Sequence, residues 1–194
     1  MSKGQETKTA ILDEALQIAS RVGFEGLTIG QLADHTEMSK SGLFAHFRSK
    51  EQLQLQTLDH ARQWFIDTVM RPTLAAPRGE ARVRALFDSW LRWEEVLDGG
   101  CVYVTAAVEY DDRPGAMREA LSQHQQEWLE SIATVVRSAI DAGDFREDVD
   151  PDQFAFELHS LTLGFHQAFR LLDQEDATRR ARASFDRLVD CSRR

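Results

Sequence analysis

The stretch "TIGQLADHTEMSKSGLFAHFRSKEQL", Thr28 to Leu53, holds two short apolar patterns of helical period separated by only a few residues. Thr28 followed by Gln31 has the form of a capping box, which predicts a short helix from Ile29 to about His35. Ser39 reads as the next N-cap, with a short helix to about Ala45. Ser49 with Gln52 is another capping box, opening a longer helix through Leu53, Leu58, Phe65 and Val69. Two helices of about seven residues joined by a tight turn, after a preceding helix, fit a helix-turn-helix. In that motif the second helix enters the major groove with its N-terminal residues nearest the bases.

The charge distribution agrees. The net charge of −9 is unevenly spread: residues 1–50 are neutral and residues 51–194 carry all of it. Lys3, Lys8, Lys40 and Lys50 are the only lysines, and every later basic residue is arginine. Between Met38 and Lys50 there are Lys40, Arg48, Lys50 and His46, and no acid. Ser39, Lys40 and Ser41 stand at a helix start, where backbone amides and the dipole favour a phosphate. Lys50 opens the following helix, and Gly42 would let the reading helix approach closely. Leu43 and Phe47 would anchor that helix to Ile11, Ala15, Leu32 and Ala33. By pattern alone two readings stand: a DNA-reading surface, or a solvated basic face in an all-α protein.

Outward from this stretch the chain reads as helix throughout, about nine in all, an all-α fold. Ile11, Ala15, Ile18 and Val22 mark the first helix, stopped by Gly23. Pro72, Pro77 and Gly79 predict a loop ending the fourth. Val83, Leu86, Phe87, Trp90, Trp93 and Leu97 form one stripe, ended by Gly99 and Gly100. A short helix follows over about Val102–Tyr110, with Asp111 and Asp112 expected as carboxylates at the start of the next. Pro114 suits the first turn of a long helix that Gly143 ends. Asp150, Pro151 and Gln153 open a helix to about Leu172, and a last amphipathic helix runs from about Asp176 to Cys191. No apolar run approaches the roughly 18 residues of a membrane span, and "MSKGQETKTA" lacks a signal-peptide core. With only Cys101 and Cys191 there is no disulfide framework, so a cytoplasmic protein without a membrane partner is expected.

"LTIGQLADHTEMSKSGLFAHFRSKEQL" resembles the DNA-binding domain of the TetR family of transcriptional regulators over roughly residues 8–58. Leu32-Ala33, Met38-Ser39, Leu43-Phe44-Ala45-His46-Phe47 and Ser49-Lys50-Glu51 take the places of that family's recurring elements, in order. Glu37 stands where glycine is common, and Phe44 where tyrosine is usual. The resemblance implies a DNA-binding domain over 1–50 and a helical effector-binding and dimerisation domain over 51–194. It implies contacts to duplex DNA, a pseudo-palindromic operator, through Thr28, Ser39, Lys40, Ser41, Gly42, Phe44, His46 and Lys50. It also implies a small-molecule effector held between later helices by Trp90, Trp93, Tyr103, Ala107, His124, Trp128, Phe165, His166 and Phe169. Glu109 is a further polar candidate there, and a small, largely apolar effector is expected.

Twelve of the nineteen residues of Phe154–Leu172 are apolar or glycine, spread around most of the helix, so it must be covered on more than one side. One cover is the chain's own core; for the other, two readings stand, the same helix of a second subunit or a fully buried central helix in a monomer. Phe154, Leu158 and Leu161, with Phe185 and Leu188 of the last helix, are the expected homodimer contacts. The competing functions are weak. Cys101 as an enzyme nucleophile or redox thiol lacks a nearby base. There is no phosphate-binding glycine loop, and His124, His159 and His166 lack metal-ligand spacing, so neither cofactor nor metal is expected.

Overall fold

The computed structural model describes residues 3–194; Met1 and Ser2, the start of the expected 1–50 domain, lie outside the described residues. The elements are α1 (Lys3–Gly26), α2 (Ile29–Thr36), α3 (Lys40–Phe47), α4 (Lys50–Phe65) and α5 (Arg71–Ala75). Then follow α6 (Glu80–Val96), α7 (Val102–Tyr110), α8 (Ala116–Asp141), α9 (Pro151–His166) and α10 (Ala177–Ser192). π-helical turns at Ile66–Met70 and Gln167–Leu171 extend α4 into α5 and prolong α9. Among the described residues the fold is all-α; an isolated bridge between Phe145 and Arg193 is its sole β pairing.

The caps fall where the sequence placed them. Thr28 Oγ1 accepts from Gln31 N–H at 3.1 Å, Ser39 Oγ from Gly42 N–H at 3.1 Å and Ser49 Oγ from Gln52 N–H at 3.1 Å. Asp150 caps α9 by accepting from Asp152 N–H at 2.9 Å and Gln153 N–H at 3.3 Å.

Three boundaries differ. Pro72 does not end the fourth helix but sits in the first turn of α5. A proline ring crowds the carbonyl four residues back, and the wider π turn just before it gives the room. Pro114 precedes α8, because Gly115 at φ 142 separates it from Ala116. Asp111 lies at the C-terminal end of α7 rather than at a helix start.

The chain forms two compact units, Met1–Phe65 with Glu95–Gln123, and Ile66–Glu94 with His124–Arg194. A single cut after residue 50 does not describe them, because the segment carrying α7 returns to pack on α1. In the first unit Ile11, Ala15, Leu16, Leu32, Leu43, Phe47, Leu53 and Leu58 make a core fully withdrawn from solvent. Gly99 is needed at the return: a Cβ there would fall 1.8 Å from the Ser20 carbonyl oxygen, while its N–H donates to Ser20 Oγ at 3.0 Å. Gly23, at φ 76, turns the chain out of the regular part of α1, and the Glu109 carboxylate fills the space beside it. Glu109 accepts there from Phe24 N–H at 2.8 Å, so its carboxylate is engaged at the kink of α1.

In the second unit α9 packs on α10. Phe87 stacks on Phe185 with centroids 4.1 Å apart, and Phe145 meets Phe154 at 5.9 Å. Glu80, at the start of α6, accepts from Arg84 at 2.7 Å and Arg193 at 2.6 Å, tying the end of the chain to this unit.

Candidate functional site

The first surface is the start of α3. Ser39, Lys40, Ser41 and Phe44 are exposed, Phe44 to 49%, while Leu43 and Phe47 on the opposite side are fully buried. Period 3.6 thus divides eight residues into an anchor and a free face. Gly42 and His46 are half-buried at its margins. A Cβ placed on Gly30 would lie 3.9 Å from Lys40 Nζ and 3.8 Å from Thr28 Oγ1. Lys40 Nζ and Thr28 Oγ1 thus both stand near Gly30 in the first turn of α2, an end of a helix that favours an anion. Between α2 and α3, Glu37 adopts φ 56, the left-handed conformation that glycine would hold without strain.

Lys50 differs from expectation. Its ammonium donates to the Glu25 carbonyl at 2.8 Å and pairs with the Glu25 carboxylate at 3.2 Å. The same carboxylate accepts from the Tyr110 hydroxyl at 2.8 Å and lies 3.5 Å from Arg113. The Tyr110 hydrogen bond, followed by that of Lys50, holds the Glu25 carboxyl below its usual range. Burial, then the bond to Glu25, pushes the Tyr110 phenol well above its ordinary value. Sequence reading missed this hub because Glu25 and Tyr110 are 85 residues apart.

The second site lies in the second unit. Trp90 meets Phe165 edge-on at 5.8 Å, and Phe165 stacks on Phe169 at 5.3 Å. His166 Nδ1 is hydrogen-bonded to the carboxylate of Glu94, which is 0% exposed. Trp93 and Trp128 are buried in the same unit, and His124 is half-buried there. Tyr103 and Ala107 belong to the first unit, where Tyr103 lies edge-on to Phe65 at 6.0 Å. Sequence reading passed over Glu94, although it stands four residues after Trp90 and three before Leu97, on the apolar stripe itself. A charge on that stripe was the available signal.

The expected dimer contacts need correction. Phe154, Leu158 and Phe185 are buried in the chain's own core, and Leu161 and Leu188 are half-buried. The exposed apolar side of α9 is instead Phe156, at 65%, with Leu163 and Gly164. Cys101 is buried at 4%, a small hydrophobe rather than an accessible thiol. Among the described residues no cluster of three or more His, Cys, Asp or Glu could hold a metal, and no helix is long and apolar enough to cross a membrane.

Residues 11–57 match the family model described as bacterial regulatory proteins, tetR family. Residues 79–185, more than half the chain, match the one described as tetracyclin repressor-like, C-terminal domain. The chain belongs to the TetR family. TetR-family proteins are DNA-binding transcriptional regulators, not enzymes. The chain is 24% identical over 149 residues to the HTH-type transcriptional repressor DhaR of Mycobacterium sp., covering 75% of this chain and 73% of that one. It is 22% identical over 120 residues to the IcaR negative regulator of the biofilm operon icaADBC of Staphylococcus epidermidis, spanning 62% of each. The chain thus covers less than two thirds of that relative's length. A TetR transcriptional regulator from Chloroflexus aurantiacus superposes with a TM-score of 0.86 at 29% identity, over 98% of this chain and 96% of that one.

Proposed function

We infer that this TetR-family chain is a homodimeric, cytoplasmic repressor that leaves its operator when a small, largely apolar effector binds. The observation that carries this reading is the α3 start: exposed Ser39, Lys40 and Ser41 with Lys40 beside Thr28, on a helix whose other side is locked into the core. Phosphate contacts there set register and affinity, and base contacts from the α3 face set sequence choice. The α2–α3 pair of the first unit reads the DNA, and α9 of the second unit meets the partner. Phe156, Leu163 and Gly164 of α9 meet their counterparts in the second subunit. Two α3 helices then face successive major-groove turns roughly 34–36 Å apart, so the operator is a pseudo-palindrome.

Effector control follows from differential affinity for two arrangements; a tenfold loss of DNA affinity needs about 1.4 kcal/mol of coupling. Glu25 supplies a lever, since it ties Lys50 at the start of α4 to Tyr110 at the end of α7. When α7 shifts, the hold on Lys50 changes, and with it the ammonium's availability to a phosphate. Gel shifts with genomic fragments at two salt concentrations test the reading. Sequence preference, with affinity falling as salt rises, is expected. Weak, sequence-indifferent binding at both concentrations overturns it.

A further inference from the structure

Among the described residues Glu94 is the one charged side chain that is buried, and it is completely so. Its neighbours on the buried side of α6, Trp90 and Leu91 among them, are almost all apolar. A buried ion pair does not stabilise a fold more than a well-packed apolar pair of similar volume. Core stability therefore gives no reason for a carboxylate here. Its imidazole partner, His166, is 15% exposed, while the Glu94 side chain is wholly withdrawn from solvent. The π turn Gln167–Leu171 begins immediately after His166, and such turns recur at ligand sites because they let side chains shift without breaking the helix. Trp90, one helical turn before Glu94, meets Phe165, the residue before His166, edge-on, and Phe165 stacks on Phe169.

We propose that Glu94, with the aromatic wall of Trp90, Phe165 and Phe169, is the recognition point for a positively charged nitrogen on the effector, and that His166 occupies its place when the effector is absent. This rests on the reading of the chain as an effector-controlled regulator and names the effector's class: an apolar body bearing an ammonium or amidinium-like cation. Electron-rich ring faces attract a cation and are indifferent to its neutral isostere. The carboxylate repels an anion, and an uncharged hydrocarbon offers it neither charge nor a hydrogen bond in the place of His166. His159, seven residues before His166 and held below its ordinary pKa by burial, adds no competing charge.

The test uses the full chain and three ligands of similar shape: phenyltrimethylammonium, its neutral isostere tert-butylbenzene, and benzoate. Binding is followed by tryptophan fluorescence. The cation is expected to bind at least about tenfold more tightly than either other ligand. Glu94→Gln is expected to remove that preference while leaving tert-butylbenzene affinity within about twofold. Equal or tighter binding of the neutral or anionic ligand, no binding of any of the three, or a preference that survives Glu94→Gln overturns the proposal. If the variant does not fold, the comparison on the unaltered chain decides alone. A gel shift without ligand, run in parallel, separates the two failures: DNA binding that persists while the cation preference is absent sinks only the effector class.

Discussion

Glu37, with φ 56 and ψ 20, occupies a backbone conformation that costs an L-residue roughly 1 kcal/mol. Replacing it by glycine removes that strain but adds freedom to the unfolded chain. Glu37→Gly is therefore expected to stabilise by about 0.5 kcal/mol, seen as a higher urea midpoint at unchanged slope. Lys40 and Lys50 divide differently. Lys40 belongs to the proposed DNA-reading surface, so Lys40→Ala is expected to weaken operator binding and lower the salt slope by about 1. Lys50 is shared with Glu25, and Glu25→Gln should raise DNA affinity severalfold by weakening the competitor for its ammonium. Unchanged affinity in Glu25→Gln, measured by gel shift, would remove Lys50 from the contact set.

At the scale of elements, α3 has only eight residues and too few internal hydrogen bonds to persist alone. It is held by Leu43 and Phe47 in the core and by the Ser39 cap at its start. Ser39→Ala is expected to cost about 1 kcal/mol of stability in chemical denaturation. Because the cap also orders the amides offered to DNA, affinity should fall with it, and a loss of stability alone would confine Ser39 to capping. The π turn before α5 shows how a proline is absorbed: the turn widens before Pro72, and Thr73 Oγ1 donates to the Val69 carbonyl at 2.6 Å.

At the scale of the molecule, the proposed homodimer rests on the outer side of α9. Phe156→Glu with Leu163→Glu is expected to convert dimer to monomer in sedimentation while the helix content seen by circular dichroism is kept, since both side chains are exposed in the single chain. Phe154→Ala should instead lower stability by about 3–5 kcal/mol, because Phe154 is core. Acid sensitivity has a specific source in Glu80. The hydrogen bond from Arg193, with Arg84 assisting, holds its carboxyl at about 2. An unfolded glutamate titrates near roughly 4.3, so the unfolded chain takes up the proton first as pH falls. The stabilisation is complete above that value and is lost as pH drops toward 2. Thermal melts from pH 6 to pH 3 should show a smaller loss for Glu80→Gln than for the unaltered chain, from a lower starting stability.

The sequence alone determined the helices, their caps and the divided α3 face, because 3.6-residue periodicity and hydroxyl caps are local. Thr28, Ser39, Ser49 and Asp150 are all found at the helix starts they announced. Tertiary structure decided which apolar side of α9 is core and which is surface, since the twelve apolar or glycine positions of Phe154–Leu172 favour no direction. It also decided that Lys50 meets Glu25 and that Glu94 meets His166, pairs 25 and 72 residues apart. Periodicity fixes where a side chain lies around its own helix axis; only packing against distant elements fixes what it faces.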